Sequence, residues 1–202
     1  DFEMMKAVSD MAKHYDVRMH VHLSETESEH KACIEKYGKT PAEVFAEAGA
    51  FDVPATAAHC VWVTDNDLDI FRDKGVTVAS NPCSNMKLAS GMCKVPPMYN
   101  KGINVAIGTD SVASNNSLDM FEEMKVLAIG NKVSRLAPEI MTPMQVLKAA
   151  TLGGAKAQGR ETCGAVKTGN KADLIVVDIS GPNMHPVHNM VNNLVYSCSG
   201  KS

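Results

Sequence analysis

The sequence predicts an α/β protein built on parallel strands, of the kind that makes up part of a (β/α)8 barrel. Strand-like and helix-like segments alternate along the 202-residue chain, a pattern typical of parallel strands joined by helices. The strand-like segments have one apolar face, while the other face is small or polar and ends in a residue that can bind a metal. Strands that surround a lumen, with an active site at their C-terminal ends, have this pattern.

Four segments are predicted to be barrel strands: residues 17–23, 55–61, 76–81 and 104–110. Because side chains alternate between the two faces of a strand, His20 and His22 share the polar face of the first strand. In the second strand His59 shares its face with Ala57, and in the last strand Asp110 closes a face of small residues. A complete barrel takes about 250 residues, so four strands predict part of a longer barrel.

Capping residues mark the starts of the predicted helices. Thr40 and Thr142 are each followed by Pro at the first helical position and by Glu or Gln at the third, which is the pattern of a capping box. Thr64 opens a looser version, and Gly75 ends the helix that follows it. Two further helices are predicted over residues 2–12 and 118–133, the latter opened by Ser117.

The pattern changes after Gly154. A turn at 164–169 precedes an apolar run at 172–178 that predicts a buried strand, and residues 193–196 are also strand-like. We therefore predict a barrel portion over residues 1–160 and a small β-structure over residues 161–202.

The composition argues against several classes of protein. The formal net charge of −3 is small and evenly spread, which argues against nucleic-acid and membrane-surface partners. Hydrophobic residues make up 45% of the chain, yet no apolar run approaches the roughly 20 residues that span a bilayer. The six cysteines form no CxxC pair, which predicts reduced thiols in a cytoplasmic protein.

His22 with Glu25, His59, and Asp110 each stand where a predicted strand ends. Imidazoles and carboxylates bind Zn²⁺ or Fe²⁺, and a carboxylate can also move protons. Taken singly, either histidine can be a packed core residue, and Asp110 can cap a following helix. Because the carboxyl ends of successive parallel strands meet at one edge, the three together favour a metal-dependent hydrolytic site.

Other polar residues are open to two interpretations. The loop at 81–87 either contacts a substrate or braces the strands that carry the ligands, or it is only a turn. His20, one step deeper on the strand, is either a ligand or a group that packs in the lumen. The remaining histidines are predicted to lie at the surface: His14, His30, His185 and His188.

Four motifs, in this order along the chain, resemble the amidohydrolase superfamily: His-Leu-Ser-Glu at 22–25, His-Cys at 59–60, Ser-Asn-Met-Lys-Leu at 84–88, and the stretch from Gly108 to Met124. Within that superfamily the chain is most similar to the 5′-methylthioadenosine/S-adenosylhomocysteine deaminases of the chlorohydrolase-like group, over nearly its whole length. The resemblance implies the C-terminal half of a metal-dependent TIM-like barrel, strands five to eight. It also implies part of a composite β-sandwich, with a return strand at 171–178.

The resemblance implies a role for each site residue. His22 and Asp110 would bind one divalent metal ion, zinc with iron as the alternative. Glu25 would shuttle a proton and contact the purine ring, while His59 would hydrogen-bond the attacking water. Asp110 would also accept the proton of that water, and Ser114 would contact the substrate. The catalytic residues are thus Glu25, His59 and Asp110, and the substrate-binding residues are Glu25, Asp110 and Ser114.

The implied activity is hydrolytic deamination of an adenosine thioether, with release of ammonia. The alternatives are a guanine or pterin deaminase, a triazine chlorohydrolase, and a non-catalytic scaffold on the same barrel. The expected partner is a small nucleoside-type molecule, and assembly into a homo-oligomer is left open. The H-x-H ligand pair of strand one in the family is missing from these 202 residues, so we expect them to be an inactive piece of a longer enzyme.

Overall fold

The chain is organised around one parallel four-stranded sheet. A computed structural model describes residues 1–200, and its strands follow one another in the order β1-β2-β3-β4. Their bounds are Met19–Leu23 for β1, Ala55–His59 for β2, Thr77–Ser80 for β3 and Val105–Ile107 for β4. All four predicted strands are confirmed, each shorter than predicted. All neighbours run parallel, as expected for part of a TIM barrel.

β2 is a strand because it pairs with its neighbours, since its sequence Ala-Thr-Ala-Ala-His has little β-propensity of its own. It lies between β1 and β3, so its backbone groups are paired on both sides. Every residue of β2 is buried.

The outer face of the sheet forms the hydrophobic core. Ala57, Val78 and Val105 on this face are fully buried, and they belong to one apolar cluster with Phe71 and Leu127 from the surrounding helices. On the opposite face β1 exposes His20 and His22, whereas the residues of the other three strands are buried. The apolar outer face thus packs against the surrounding helices, and the polar face carries the residues of the site.

Helices connect and flank the strands. They are α1 Phe2–His14, α2 Glu27–Tyr37, α3 Pro41–Glu47, α4 Asp65–Lys74, α5 Pro82–Lys87, α6 Val95–Asn100, α7 Val112–Asn115, α8 Met120–Arg135, α9 Pro143–Lys148, α10 Gly154–Ala157 and α11 Met190–Tyr196. The capping boxes at Thr40, Thr64 and Thr142 are confirmed. No helix in residues 1–200 has both the length and the apolar character needed to cross a bilayer.

Helix α8 begins two residues later than predicted. Its N-cap is Asp119, whose carboxylate accepts hydrogen bonds from the N–H groups of Phe121 and Glu122. The hydroxyl of Ser117, predicted to open the helix, accepts from the N–H of Asp119 instead. Asp and Ser are comparable caps, and here the aspartate is the residue placed beside the first free N–H groups.

The predicted strand at 172–178 is wrong. This run has no regular secondary structure, and its apolar side chains are exposed: Leu174 at 62%, Ile175 at 77% and Val176 at 96%. A strand needs a neighbour to complete its backbone hydrogen bonds, and no segment within residues 1–200 pairs with this one.

The predicted strand at 193–196 is also wrong, because these residues lie in helix α11. Asn189 caps that helix, and its side chain accepts from the N–H groups of Val191 and Asn192. The β-sandwich over residues 161–202 and the boundary at residue 160 stay predictions.

A buried carboxylate joins the starts of helices α3 and α4. Asp67 is fully buried, and its Oδ2 accepts from the backbone N–H of Thr64 at 2.8 Å. Its Oδ1 accepts from the hydroxyl of Thr40, the N-cap of α3. The Asp67 carboxylate therefore accepts hydrogen bonds from the N-cap residue of its own helix and from the N-cap residue of the neighbouring helix.

We predict that Asp67→Ala lowers the free energy of unfolding by about 2 kcal/mol, because the Thr64 N–H and the Thr40 hydroxyl lose their acceptor in the interior. The matched control is Asp65→Ala in the same helical turn, where the carboxylate is 82% exposed and lies 3.4 Å from Lys101. Its loss should cost less than about 0.5 kcal/mol. Urea denaturation measures both variants, and equal destabilisation would contradict the role of Asp67.

Candidate metal centre

Three side chains with metal-binding atoms lie together at the C-terminal edge of the sheet. They belong to His22 near the end of β1, to His59 at the end of β2, and to Asp110 after β4. One potential ligand atom from each residue lies within 4.8 Å of the other two. The imidazole rings of His22 and His59 are stacked with centroids 5.4 Å apart. The convergence expected from the strand ends is present, whereas the role of each residue stays a prediction.

Strand alternation alone would separate His59 from His22. His59 pairs in register with Leu23, whose side chain is buried in the core on the face opposite to His22. The backbone at His59 instead has a φ of 71°, in the left-handed region. This conformation costs a non-glycine residue about 1–2 kcal/mol. It turns the imidazole out of the alternation and places it beside His22.

A second left-handed residue brings Glu25 to the same edge. Ser24 has a φ of 48°, and Glu25 Oε2 lies 3.6 Å from His59 Nε2. The carboxylate of Glu29, on α2, accepts from the N–H groups of Ser24 at 3.3 Å and of Glu25 at 2.8 Å. The turn is also held by a 3.0 Å contact between the Ser24 hydroxyl and the ring of His30. The prediction that His30 lies at the surface is wrong, because its ring is buried against this turn.

Two hydroxyl groups hold the carboxylate of Asp110. Ser84 and Ser114 both donate to its Oδ2, at 2.6 Å and 2.7 Å. Burial raises the pKa of Asp110, but the hydrogen bonds from these hydroxyls outweigh it and leave the pKa below its usual range. Asp110 is therefore an anion at neutral pH, the form in which a carboxylate binds a metal. Ser114, predicted to contact the substrate, contacts Asp110, and its role toward a substrate stays a prediction.

The ring of His59 is buried, and two side chains of the loop after β3 contact it. Its Nδ1 lies 2.8 Å from Oδ1 of Asn85 and 3.4 Å from Nδ2 of Asn81. Both asparagines belong to the loop at 81–87, which was predicted either to brace the ligand strands or to contact the substrate. Bracing is the role that these contacts support.

The buried carboxylate of Glu123, on α8, ties two loops of the site together. It accepts from the N–H of Cys83 at 3.1 Å and from the side-chain amide of Asn115. The same amide nitrogen donates to the carbonyl of Thr109 at 2.6 Å. Burial raises the pKa of Glu123, although these hydrogen bonds oppose the shift. Glu123 thereby fixes the loop that follows β3 relative to the loop that follows β4.

A cavity of about 260 Å³ lies on the polar face of the sheet, and two of the three donors, His22 and Asp110, line it. His20 and Gln158 are also among its lining residues. Partial removal from water, followed by the imidazoles of His22 and His59, lowers the pKa of His20. His20 is exposed and, among the described residues, is not one of the three clustered donors, so both interpretations of this residue stay predictions.

The donor set suits a divalent transition metal. Two imidazoles and one carboxylate are ligands that zinc takes in catalytic sites, where a coordination position stays open. The ring of His59 has its Nδ1 engaged with Asn85, so the nitrogen free to face the site is Nε2. Imidazole and carboxylate also suit iron, so the choice of metal stays a prediction.

Sequence reasoning missed the residues that position the site. Glu29 offered a signal, since it occupies the third helical position after the N-cap Thr26, from which a carboxylate usually reaches back to free N–H groups. Glu123 offered none. A glutamate in an amphipathic helix is usually solvated, and only the fold shows that this one is buried.

Comparison with known proteins identifies the family of this chain. A profile of the amidohydrolase family matches residues 1–198. The chain belongs to the amidohydrolase family. The superfamily expected from the four motifs is therefore confirmed.

Two curated relatives illustrate where this amidohydrolase lies within the family. It is 46% identical over 198 residues to a 5'-deoxyadenosine deaminase of Methanosarcina mazei, a match that covers 98% of this chain and 46% of that protein. It is 43% identical over 197 residues to a 5-methylthioadenosine/S-adenosylhomocysteine deaminase of Caldanaerobacter subterraneus, covering 97% and 46%. The chain therefore spans about half the length of the curated relatives it matches.

A solved structure supports the fold. An adenosine deaminase from Xanthomonas campestris, crystallised with bound zinc, superposes with a TM-score of 0.93 at 34% identity. The match covers 98% of this chain and 45% of that one. The parallel sheet of this amidohydrolase is thus a known arrangement within the family.

We predict that Glu123→Gln lowers the free energy of unfolding by about 1–2 kcal/mol, because an amide N–H₂ then faces the N–H of Cys83 or the amide of Asn115. The control is Glu122→Gln, the exposed neighbour on α8, which should be close to neutral. Thermal and urea unfolding of the full-length protein containing this chain measure both variants. If the two behave alike, Glu123 does not tie the loops.

Proposed function

We propose that the protein containing this chain is a metal-dependent deaminase of adenosine-type nucleosides, with S-adenosylhomocysteine and 5′-methylthioadenosine as the substrate class. The observation that carries the proposal is the convergence of His22, His59 and Asp110, with Glu25 beside them. Relatives named as deaminases of such nucleosides, at 46% and 43% identity, support it.

In this proposal His22 and Asp110 bind one divalent metal ion, zinc in the first place and iron as the alternative. His59 Nε2 faces the same space. When bound, such an ion acts as a Lewis acid and lowers the pKa of water toward about 7. The remaining steps fall to the side chains of this chain.

Asp110 and Glu25 divide the proton transfers. As an anion, Asp110 accepts one proton of the water whose oxygen adds to the amino-bearing ring carbon. Glu25, in its protonated form, donates its proton to the adjacent ring nitrogen, so no negative charge builds up on the ring. The proton held by Asp110 then passes to the amino group, which leaves as ammonia. The last proton of the added hydroxyl returns to Glu25 as the ring C=O forms.

His59 stabilises the tetrahedral carbon in this scheme. Its Nδ1 is engaged with Asn85, so Nε2, which lies 3.6 Å from Glu25 Oε2, can accept a hydrogen bond from the hydroxyl that is added. The ring is fully buried, and its position is therefore defined before the substrate arrives. Preorganised groups of this kind are worth more in a site that excludes water.

Glu25 favours deamination over dechlorination, because protonation of the ring nitrogen needs an acid at this position. Ammonia release should be assayed with the full-length protein on S-adenosylhomocysteine, 5′-methylthioadenosine, 5′-deoxyadenosine and guanine, together with chloride release from atrazine. We expect the highest kcat/KM for an adenosine-type substrate. A preference for guanine or for dechlorination would replace the proposal with one of its rivals, and no turnover at all would favour a scaffold.

We predict that Glu25→Gln lowers kcat by about 10²- to 10⁴-fold with the metal retained, as expected for loss of a general acid. Asp110→Asn should abolish turnover and also lower the bound metal per protein, because an amide is a poorer ligand than a carboxylate. The control is Glu27→Gln, an exposed residue paired with Lys31, which should keep both kcat and metal. Elemental analysis together with the ammonia assay separates these effects. Wild-type turnover in either site variant would contradict the role assigned to Glu25 or Asp110.

A cytoplasmic location goes with the proposed function. All six cysteines are free thiols, which is usual where the compartment is reducing.

A further inference from the structure

Asn85 is a residue of the site that neither a strand end nor a helix cap explains. It lies in α5, the short helix after β3, and its side chain is fully buried. Its Oδ1 is 2.8 Å from Nδ1 of His59. This contact joins a loop that carries none of the three clustered donors to one of those donors.

The contact defines which nitrogen of His59 carries the proton. An amide oxygen has no proton to donate, so Nδ1 of His59 must be the donor and hold the hydrogen. Asn81 Nδ2 approaches the same nitrogen only to 3.4 Å, and an N–H group cannot donate to a nitrogen that is already protonated. The neutral ring therefore has its lone pair on Nε2.

The lone pair lies on the side of the site. His59 Nε2 is the atom that faces Glu25, at 3.6 Å from Oε2. With the opposite tautomer, Nε2 would present an N–H in that direction and could accept neither a hydrogen bond nor a metal ion. The orientation of the Asn85 amide thus decides what His59 offers to the site.

Packing does not account for an asparagine at this position. Among the described residues, the amide nitrogen of Asn85 is buried with no hydrogen-bond partner. An unpaired buried amide N–H disfavours the folded state, and an apolar side chain of similar size would avoid this penalty. What the asparagine adds is its oxygen, and that oxygen contacts His59.

We propose that Asn85 is a positioning residue that holds His59 as the Nδ1–H tautomer and keeps its Nε2 available to the site. The part of this inference that concerns turnover rests on the proposed deaminase function. The part that concerns the tautomer does not.

The first test reads the tautomer without any activity measurement. Long-range ¹H–¹⁵N NMR spectra of the metal-free, full-length protein labelled with ¹⁵N-histidine distinguish a protonated from an unprotonated ring nitrogen, and His59→Gln identifies the signal. We expect Nδ1–H in the wild type and in Asn85→Asp, which keeps an oxygen acceptor, and a mixed or reversed tautomer in Asn85→Leu. An Nε2–H ring in the wild type, or an unchanged ring in Asn85→Leu, would overturn the proposal.

The second test measures turnover and metal content. Asn85→Leu should lower kcat by about 10- to 100-fold, as is usual for a residue that orients another, with KM and the bound metal nearly unchanged. Asn85→Asp should recover most of the loss. Wild-type kcat in a folded Asn85→Leu variant would contradict the inference. If no adenosine-type substrate is deaminated by the wild type, the proposed function fails while the NMR result still stands.

A buried asparagine elsewhere is the matched control. Asn131, on α8, accepts from the N–H of Val95 and donates to the carbonyl of Leu127. Asn131→Leu should lower stability without changing the tautomer of His59 or kcat. A change of the His59 tautomer in this control would show that loss of any buried amide has the same effect, and would overturn a specific role for Asn85.

Discussion

The site depends on a backbone that leaves the β conformation where the strands end. Successive residues of a strand point to opposite faces, so β1 and β2 as regular strands would put His22 and His59 on different sides of the sheet. The left-handed φ values at His59 and Ser24 remove this separation and bring Glu25 to the same edge. The two hydrogen bonds that the Glu29 carboxylate accepts from the backbone N–H groups of Ser24 and Glu25 offset part of the cost of the turn at Ser24. Local strain here serves to gather the side chains.

The groups that hold the site come from helices outside the sheet. Asn85 and Ser84 lie on α5, and Glu123 reaches from α8 to the loops after β3 and β4. Because these groups are buried, each hydrogen bond is strong and each lost partner is costly. The hydroxyls beside Asp110 lower its pKa against the effect of burial. The packing of the outer layer and the chemistry of the polar face are therefore linked through a few side chains.

Much of the barrel portion followed from local patterns. The strands were predicted because one face is apolar, and the helices because Thr40, Thr64 and Thr142 supply caps that act within a few residues of themselves. The prediction failed at 172–178 and at 193–196, where apolar character was taken for strand. An apolar run becomes a strand only when another segment completes its backbone hydrogen bonds, and this information is not contained in the run. Residues 190–196 instead form a helix, and Asn189 is its N-cap.

The sequence by itself determined that His22, His59 and Asp110 stand at the ends of three of the four strands, since the positions depend only on where the apolar alternation stops. It also placed Glu25 with His22 where the first strand ends. The tertiary structure alone decided that His59 turns out of the alternation and that its Nδ1 meets Asn85. The reason is physical: a left-handed φ and a contact between residues 26 positions apart are stabilised by surrounding groups that no short stretch of sequence contains.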